Sequence, residues 1–342
     1  MGQISSLFAI WSVVAFACEV PTGALADSWS RKRLYALGEL LTAAGYALWL
    51  IWPSYPGFAA GFVLWGVGGS LGSGALEALL YEELDAEGRA EDYARIAGRA
   101  GTIEILAMLV ATLLAAPAWQ AGGYLLVGVL SIAAKTIGGL LTLRLPENRT
   151  DGTDEDDAGY LVSLRTGVRE AVKRKRVAWA VLIAALVPGF SALDEYLPVL
   201  AREMGAPTGS VPLLYAVTAL AMAGGSALAG RYAGRGPRVL AGALTAAAVL
   251  LAGGALTPHL AGMVAVSAAF GLMQFAMVVA ETRLQGTITG PARSTVLSVA
   301  GFASEVFAVG LYAFFGLPAA LPVLFAACAV PMLLTALAAR AR

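Results

Sequence analysis

Few side chains in this 342-residue chain can do chemistry, and the most telling are charges set inside long apolar runs: Glu77, Glu104, Lys135, Asp194 and Glu305. A charge at the centre of a membrane-length helix costs about 2.5–3.5 kcal/mol even on a lenient scale, so each must find a partner, a wet cavity or neutralisation. Two kinds of role meet that demand: a structural ion pair, or a group that exchanges protons or meets a charged ligand. Other chemistries are poorly supplied. His259 is the lone histidine, and Cys18 and Cys328 sit in apolar runs near opposite ends of the chain, where they read as packing residues. This leaves no metal-ligand spacing and no Ser/His arrangement. No G-x-x-x-x-G-K-[ST] loop is present either. We expect no enzyme, no cofactor and no metal.

The elements that hold these charges follow from composition. Hydrophobic residues make up 58% and charged residues 13%, against about 25% charged in soluble domains. Mean hydropathy is +0.74. The chain therefore belongs in a lipid bilayer. Lys+Arg and Asp+Glu balance at 23 each, so nothing in the net charge points to nucleic acid.

A spanning helix needs roughly 20 apolar residues. Eleven such stretches are found, at 4–26, 34–52, 57–81, 96–117, 121–144, 177–200, 211–230, 238–257, 260–281, 295–316 and 319–339. The first lacks a positive leader region, so it reads as a retained helix. Every second connection is basic, carrying Arg31 to Arg33, Arg89 and Arg95, Arg149 to Arg176, Arg231 to Arg238, and Arg283 with Arg293. The intervening connections hold only Arg202. By the positive-inside rule the basic face and the C-terminus are cytoplasmic.

The longest connection divides the chain into an N-terminal bundle of five helices (1–146), a cytoplasmic linker (147–176) and a C-terminal bundle of six (177–342). An internal repeat supports two halves. Gly23 to Asp27, basic residues and Leu41-Thr42-Ala43-Ala44 have a counterpart in Gly230 to Gly234, Arg235, Arg238 and Leu244-Thr245-Ala246-Ala247. Ala100, Gly101 and Glu104 are likewise matched by Ala300, Gly301 and Glu305. Both matches recur after about six helices in one orientation, the period of a parallel repeat.

The segment Gly23-Ala24-Leu25-Ala26-Asp27, followed by Arg31, Lys32 and Arg33, resembles the G-x-L-A-D-x-x-G-R-[KR] loop of the major facilitator superfamily, with Ser30 where glycine is usual. Glu19 to Thr22, Ser73 to Tyr81 and Arg293 to Ser298 are also similar to segments of bacterial members. The resemblance implies an all-α, two-bundle polytopic fold and a secondary transporter. It also implies that the first helix here corresponds to that family's second, one of twelve being absent at the front. A start-site error or fragment and a true eleven-helix protein both remain open.

The resemblance assigns Gly23, Asp27, Arg31 and Lys32 to a cytoplasmic gate. Glu104 and Lys135 lie at similar depth, roughly 12–14 Å from one face, and are expected to pair. Whether Glu104, Lys135, Glu305, Glu77 and Asp194 serve structure or a proton- or substrate-linked step stays open at this stage. Asp194 and Glu195 read either as solvated helix-end residues or as a pair that attracts a cationic substrate from outside, and Tyr81, Gln274, Phe275 and Met277 are candidate cavity-lining residues. The expectation is a monomeric transporter in the cytoplasmic membrane, moving a small organic molecule by alternating access, as a proton-coupled efflux antiporter. The alternative is a transport-incompetent membrane sensor or partner protein.

Overall fold

The computed structural model describes residues 1–72, 75–147, 175–232, 237–287 and 293–340, and every regular element among them is helical. Eight stretches there are long and apolar enough to cross a membrane. One of the eight, Leu106–Thr142, is two spans joined at Gly123, and Val299–Phe315 is a shorter apolar helix. With the helices Tyr55–Gly72 and Ala75–Ala86, each of the eleven hydropathy stretches corresponds to helix among the described residues. The protein is all-α and polytopic.

Met1 aside, packing divides the chain into two units, Gly2–Asp154 and Glu155–Arg342. Apart from Glu147 and the start of the following helix, the expected linker lies outside the described residues.

The N-terminal unit comprises α1 (Gly2–Ser28), α2 (Arg31–Ile51), α3 (Tyr55–Gly72), α4 (Ala75–Ala86) and α5 (Tyr93–Thr142). Ser30 opens α2, its hydroxyl accepting from the Arg33 N–H at 3.3 Å. α1 and α2 both pack on α3. Between α2 and α3 the approach is set by glycine: a Cβ on Gly38 or Gly68 would collide with the other's carbonyl oxygen. α5 is continuous through Pro117 and breaks instead at Gly123, whose φ of 57° and ψ of −150° suit glycine alone. The break therefore falls a few residues beyond the proline-marked stop read from sequence. Its second arm, 124–142, packs on α2, where Gly139 meets Ala36 and Gly128 meets Leu50.

The C-terminal unit comprises α6 (Lys175–Gly189), a 3₁₀ segment (Phe190–Tyr196), α7 (Leu197–Glu203), α8 (Val211–Tyr232), α9 (Pro237–Leu256), α10 (Ala261–Thr287), α11 (Arg293–Phe315), α12 (Leu321–Ala327) and α13 (Ala329–Arg340). Its packing repeats that of the first unit. α8 and α9 pack on α10 as α1 and α2 pack on α3, while α12 and α13 take α9 as α5 takes α2. The α8–α10 approach again rests on glycine, with Gly225 against the Gly271 carbonyl. Leu240, Leu244, Phe275, Val279 and Ala336 lie at the core.

One element has no counterpart among the described residues of the first unit. α6 and the 3₁₀ segment pack on α10 and α11, and α11 buries Ala308, Leu311, Tyr312 and Phe315. The corresponding first arm of α5 leaves Ile103, Leu106, Val110 and Leu114 exposed.

Candidate functional site

The element without a counterpart carries the acidic residues. α6 runs to Pro188-Gly189, and the chain then tightens into the 3₁₀ turns of Phe190–Tyr196 before Pro198 opens the first turn of α7. A helix interrupted inside a membrane span frees backbone and side-chain groups for ligands, which is how many transporters build their sites. Phe190, Leu193 and Tyr196 are fully buried and anchor this segment, Tyr196 stacking on Phe315 with centroids 4.3 Å apart and Phe190 meeting Phe307 edge-on at 5.0 Å. With these three turned inward, Asp194 and Glu195 are held side by side and half-buried. The Tyr215 hydroxyl, from α8, donates to Asp194 Oδ2 at 3.3 Å. On α11 of the same unit, Tyr312 is buried and Glu305 is exposed. No ion pair of Asp194 or Glu195 is found among the described residues. Asp194 thus accepts a tyrosine hydroxyl beside a second carboxylate, with no basic side chain ion-paired to either among the described residues.

Asp194 and Glu305 were expected as separate candidates: the structure gives Asp194 a tyrosine partner and leaves Glu305 exposed on α11. Tyr215 was not foreseen. Tyr215 stands near the start of the helix after the Asp194 segment, so its position at the same end was available from the span limits.

At the basic end of the N-terminal unit, the chain ties three elements together. Arg31 pairs with Glu82 of α4 at 2.5 Å, and its backbone N–H donates to Glu147 Oε1 at 2.6 Å. The Ser30 hydroxyl donates to the other oxygen of the same carboxylate. Lys32 Nζ donates to the Leu145 carbonyl at 3.1 Å. Glu147 thereby places a negative charge at the α2 N-terminus, where the helix dipole favours it. Arg31 and Lys32 of the expected gate are in this network, and Glu82 and Glu147 are additions to it. Gly23, Asp27 and Glu77 lie outside the described side chains.

The anticipated Glu104–Lys135 pair does not form. Lys135 Nζ instead donates to Glu39 Oε1 at 2.9 Å, across the packed face of α2 and the second arm of α5, and Glu104 is exposed on the first arm. Depth made Glu104 eligible, but adjacency selects Glu39. Of the cavity-lining candidates, Tyr81 is exposed and meets the Tyr93 ring edge-on at 5.5 Å. Phe275 is buried in the unit's apolar core, 6.2 Å from the Tyr232 ring, with Met277 packed against that cluster, so the ring of Phe275 packs the core. Gln274 is half-buried on the same helix. Outside the spans, Asp92 accepts from Arg95 and Arg89, whose hydrogen bonds hold its carboxyl below the ordinary range. Among the described residues no group of three or more His, Cys, Asp or Glu is placed to hold a metal.

Comparison with known proteins places these features in a family. The model of the Major Facilitator Superfamily matches residues 1–323. The chain belongs to that superfamily. No match is found among curated protein sequences. Among solved structures, the nucleoside transporter NupG is similar with a TM-score of 0.76 at 15% identity, over 99% of this chain and 90% of that one. A bacterial homolog of the human lysosomal transporter Spinster, inward-facing and unoccupied, is similar with a TM-score of 0.62 at 17% identity, over 97% and 89% of the two chains. These likenesses concern the fold. This superfamily member is accordingly a multi-pass membrane protein with a transporter fold.

Proposed function

We propose that the protein is a secondary transporter that exports a small organic molecule by alternating access in exchange for protons, with Asp194 and Glu195 as the exchanging carboxylates. The observation that carries this reading is the half-buried Asp194, held on an interrupted membrane span and hydrogen-bonded by Tyr215. An ionised Asp194 accepts the Tyr215 hydroxyl and attracts a positive charge. A protonated one is neutral and no longer does. Proton and cationic substrate therefore compete for one pair of carboxylates, and that competition is the minimum requirement for obligatory exchange. Glu305, on α11 of the same unit, is proposed as a further carboxylate of the exchange, and Gln274, half-buried on α10, as a polar contact for the substrate.

On this reading the C-terminus and the Arg31, Lys32, Glu82 and Glu147 network face the cytoplasm, in keeping with the alternation of basic connections. The network steadies that end of the N-terminal unit as the protein changes state. Reconstituted into liposomes, the full chain should accumulate organic cations when the interior is made acidic. Asp194→Asn should insert normally and lose the pH-driven accumulation, whereas unchanged pH dependence in both Asp194→Asn and Glu305→Gln would remove these residues from the mechanism.

A further inference from the structure

Arg238 and Arg340 are exposed arginines at the same end of two membrane helices, and a groove begins between them. It follows the contact of α9 with α13 and has a volume of about 660 Å³. Below the two arginines its walls are Thr245, Val249 and Leu250 on α9 and Leu337 on α13. Val249 and Leu337 are exposed, so the groove opens on the surface of the unit. Positions 238, 242, 245 and 249 recur at helical spacing and give α9 one continuous face there. The Thr245 hydroxyl is turned back to the Ala241 carbonyl at 2.8 Å, which leaves the body of the groove apolar. From Arg238 to Leu250 the helix rises about 18 Å, close to the roughly 15 Å of hydrocarbon in one leaflet.

Neither arginine forms an ion pair among the described residues. We propose that this groove is a binding site for one anionic phospholipid, its phosphate held between Arg238 and Arg340 and an acyl chain laid along Val249, Leu250 and Leu337. The guanidinium fork suits a phosphate better than a point charge does. The apolar run beneath it suits a lipid tail rather than a free anion, and the groove lies on helices that span the bilayer. Charge and shape thus select the same occupant.

The test uses the delipidated full chain in detergent, with adducts read by native mass spectrometry and by the rise in unfolding temperature. Phosphatidylglycerol should bind in preference to phosphatidylcholine of the same acyl chains, and inorganic phosphate alone should leave the unfolding temperature unmoved. Arg238→Gln/Arg340→Gln should weaken phosphatidylglycerol binding by about 30-fold. Arg231→Gln, which removes one exposed charge from α8, should retain most of it. Gly242→Trp provides a second variant, because a Cβ at Gly242 meets nothing within 4 Å, so the fold tolerates the side chain while the groove is filled. It too should lose the lipid. Equal binding of the two phospholipids, an effect of phosphate alone, an equal loss in Arg231→Gln, or wild-type binding in Gly242→Trp would each overturn the site.

Discussion

Glu39 and Lys135 meet at 2.9 Å, each about 10–12 Å along its helix from the basic end of the N-terminal unit. Neither charge is tolerable alone at that depth, so Lys135→Met should lower the unfolding free energy by about 2.5–3.5 kcal/mol, the cost of an uncompensated charge in a membrane helix. The double variant Glu39→Gln/Lys135→Met should recover most of the loss, as read by thermal unfolding of the purified protein. An additive double variant would show that the two charges do not act as a pair. Sequence reasoning found Lys135 and its depth but chose the wrong acid. Glu39 and Glu104 are both eligible by depth, and hydropathy does not say that α2, rather than the first arm of α5, lies against Lys135. Asp194 was legible as an acid near a helix end. Its partner Tyr215 was not singled out, although the span limits put both at the same end of neighbouring helices, because hydropathy does not say which side chains of two such helices face each other.

Asp92 gives a prediction with a definite sign. Hydrogen bonds from Arg95 and then Arg89 favour its ionised form, so its carboxyl titrates below the ordinary 3.8. A lowered folded-state pKa means the contribution is complete above the ordinary value and is lost as pH falls through the lowered one. Amide exchange across residues 89–95 should therefore stay slow down to about pH 4 and quicken, relative to its intrinsic rate, in more acid solution. Asp92→Asn should make that protection independent of pH over the same range.

At the scale of elements, glycine sets how closely helices pack. Gly68→Leu would drive a side chain into the Gly38 carbonyl and the Thr42 hydroxyl, and should cost about 1–3 kcal/mol or separate α2 from α3. Gly224→Ala, where an added Cβ meets nothing within 4 Å, should be neutral or slightly stabilising in the same thermal assay. The positions of all eleven stretches were legible, since apolar length alone marks a span. The α5 break was misplaced because the apolar stretch read as 96–117 ends on Pro117, whereas the helix runs on to Gly123. Lipid-embedded helices tolerate proline, and only the backbone of Gly123 demanded a particular residue. The 3₁₀ turns of Phe190–Tyr196 had their signal in Pro188, Gly189 and Pro198, which were read simply as part of one long span.

For the whole molecule, the repeat seen in sequence reappears as a repeat of packing, with α1 to α3 and the second arm of α5 echoed by α8 to α10 and by α12 with α13. α6, the 3₁₀ segment and α7 depart from that echo, and they hold Asp194 and Glu195. The asymmetry gives the C-terminal unit the acidic pair Asp194 and Glu195, while the N-terminal unit has the half-buried Glu39–Lys135 pair. Proton exchange is proposed for the former because Asp194 accepts the Tyr215 hydroxyl and neither Asp194 nor Glu195 forms an ion pair among the described residues, whereas Glu39 is paired with Lys135.

The most direct test is transport by the full chain in proteoliposomes with the membrane potential clamped, using a panel of small organic cations, amines and neutral metabolites. The account predicts that an acid interior drives uphill accumulation of a cation, that collapsing the proton gradient releases it, and that Asp194→Asn still inserts but accumulates nothing. Accumulation by Asp194→Asn with the wild-type pH profile, or failure of the wild type to move any of the panel under a proton or a substrate gradient, would contradict it.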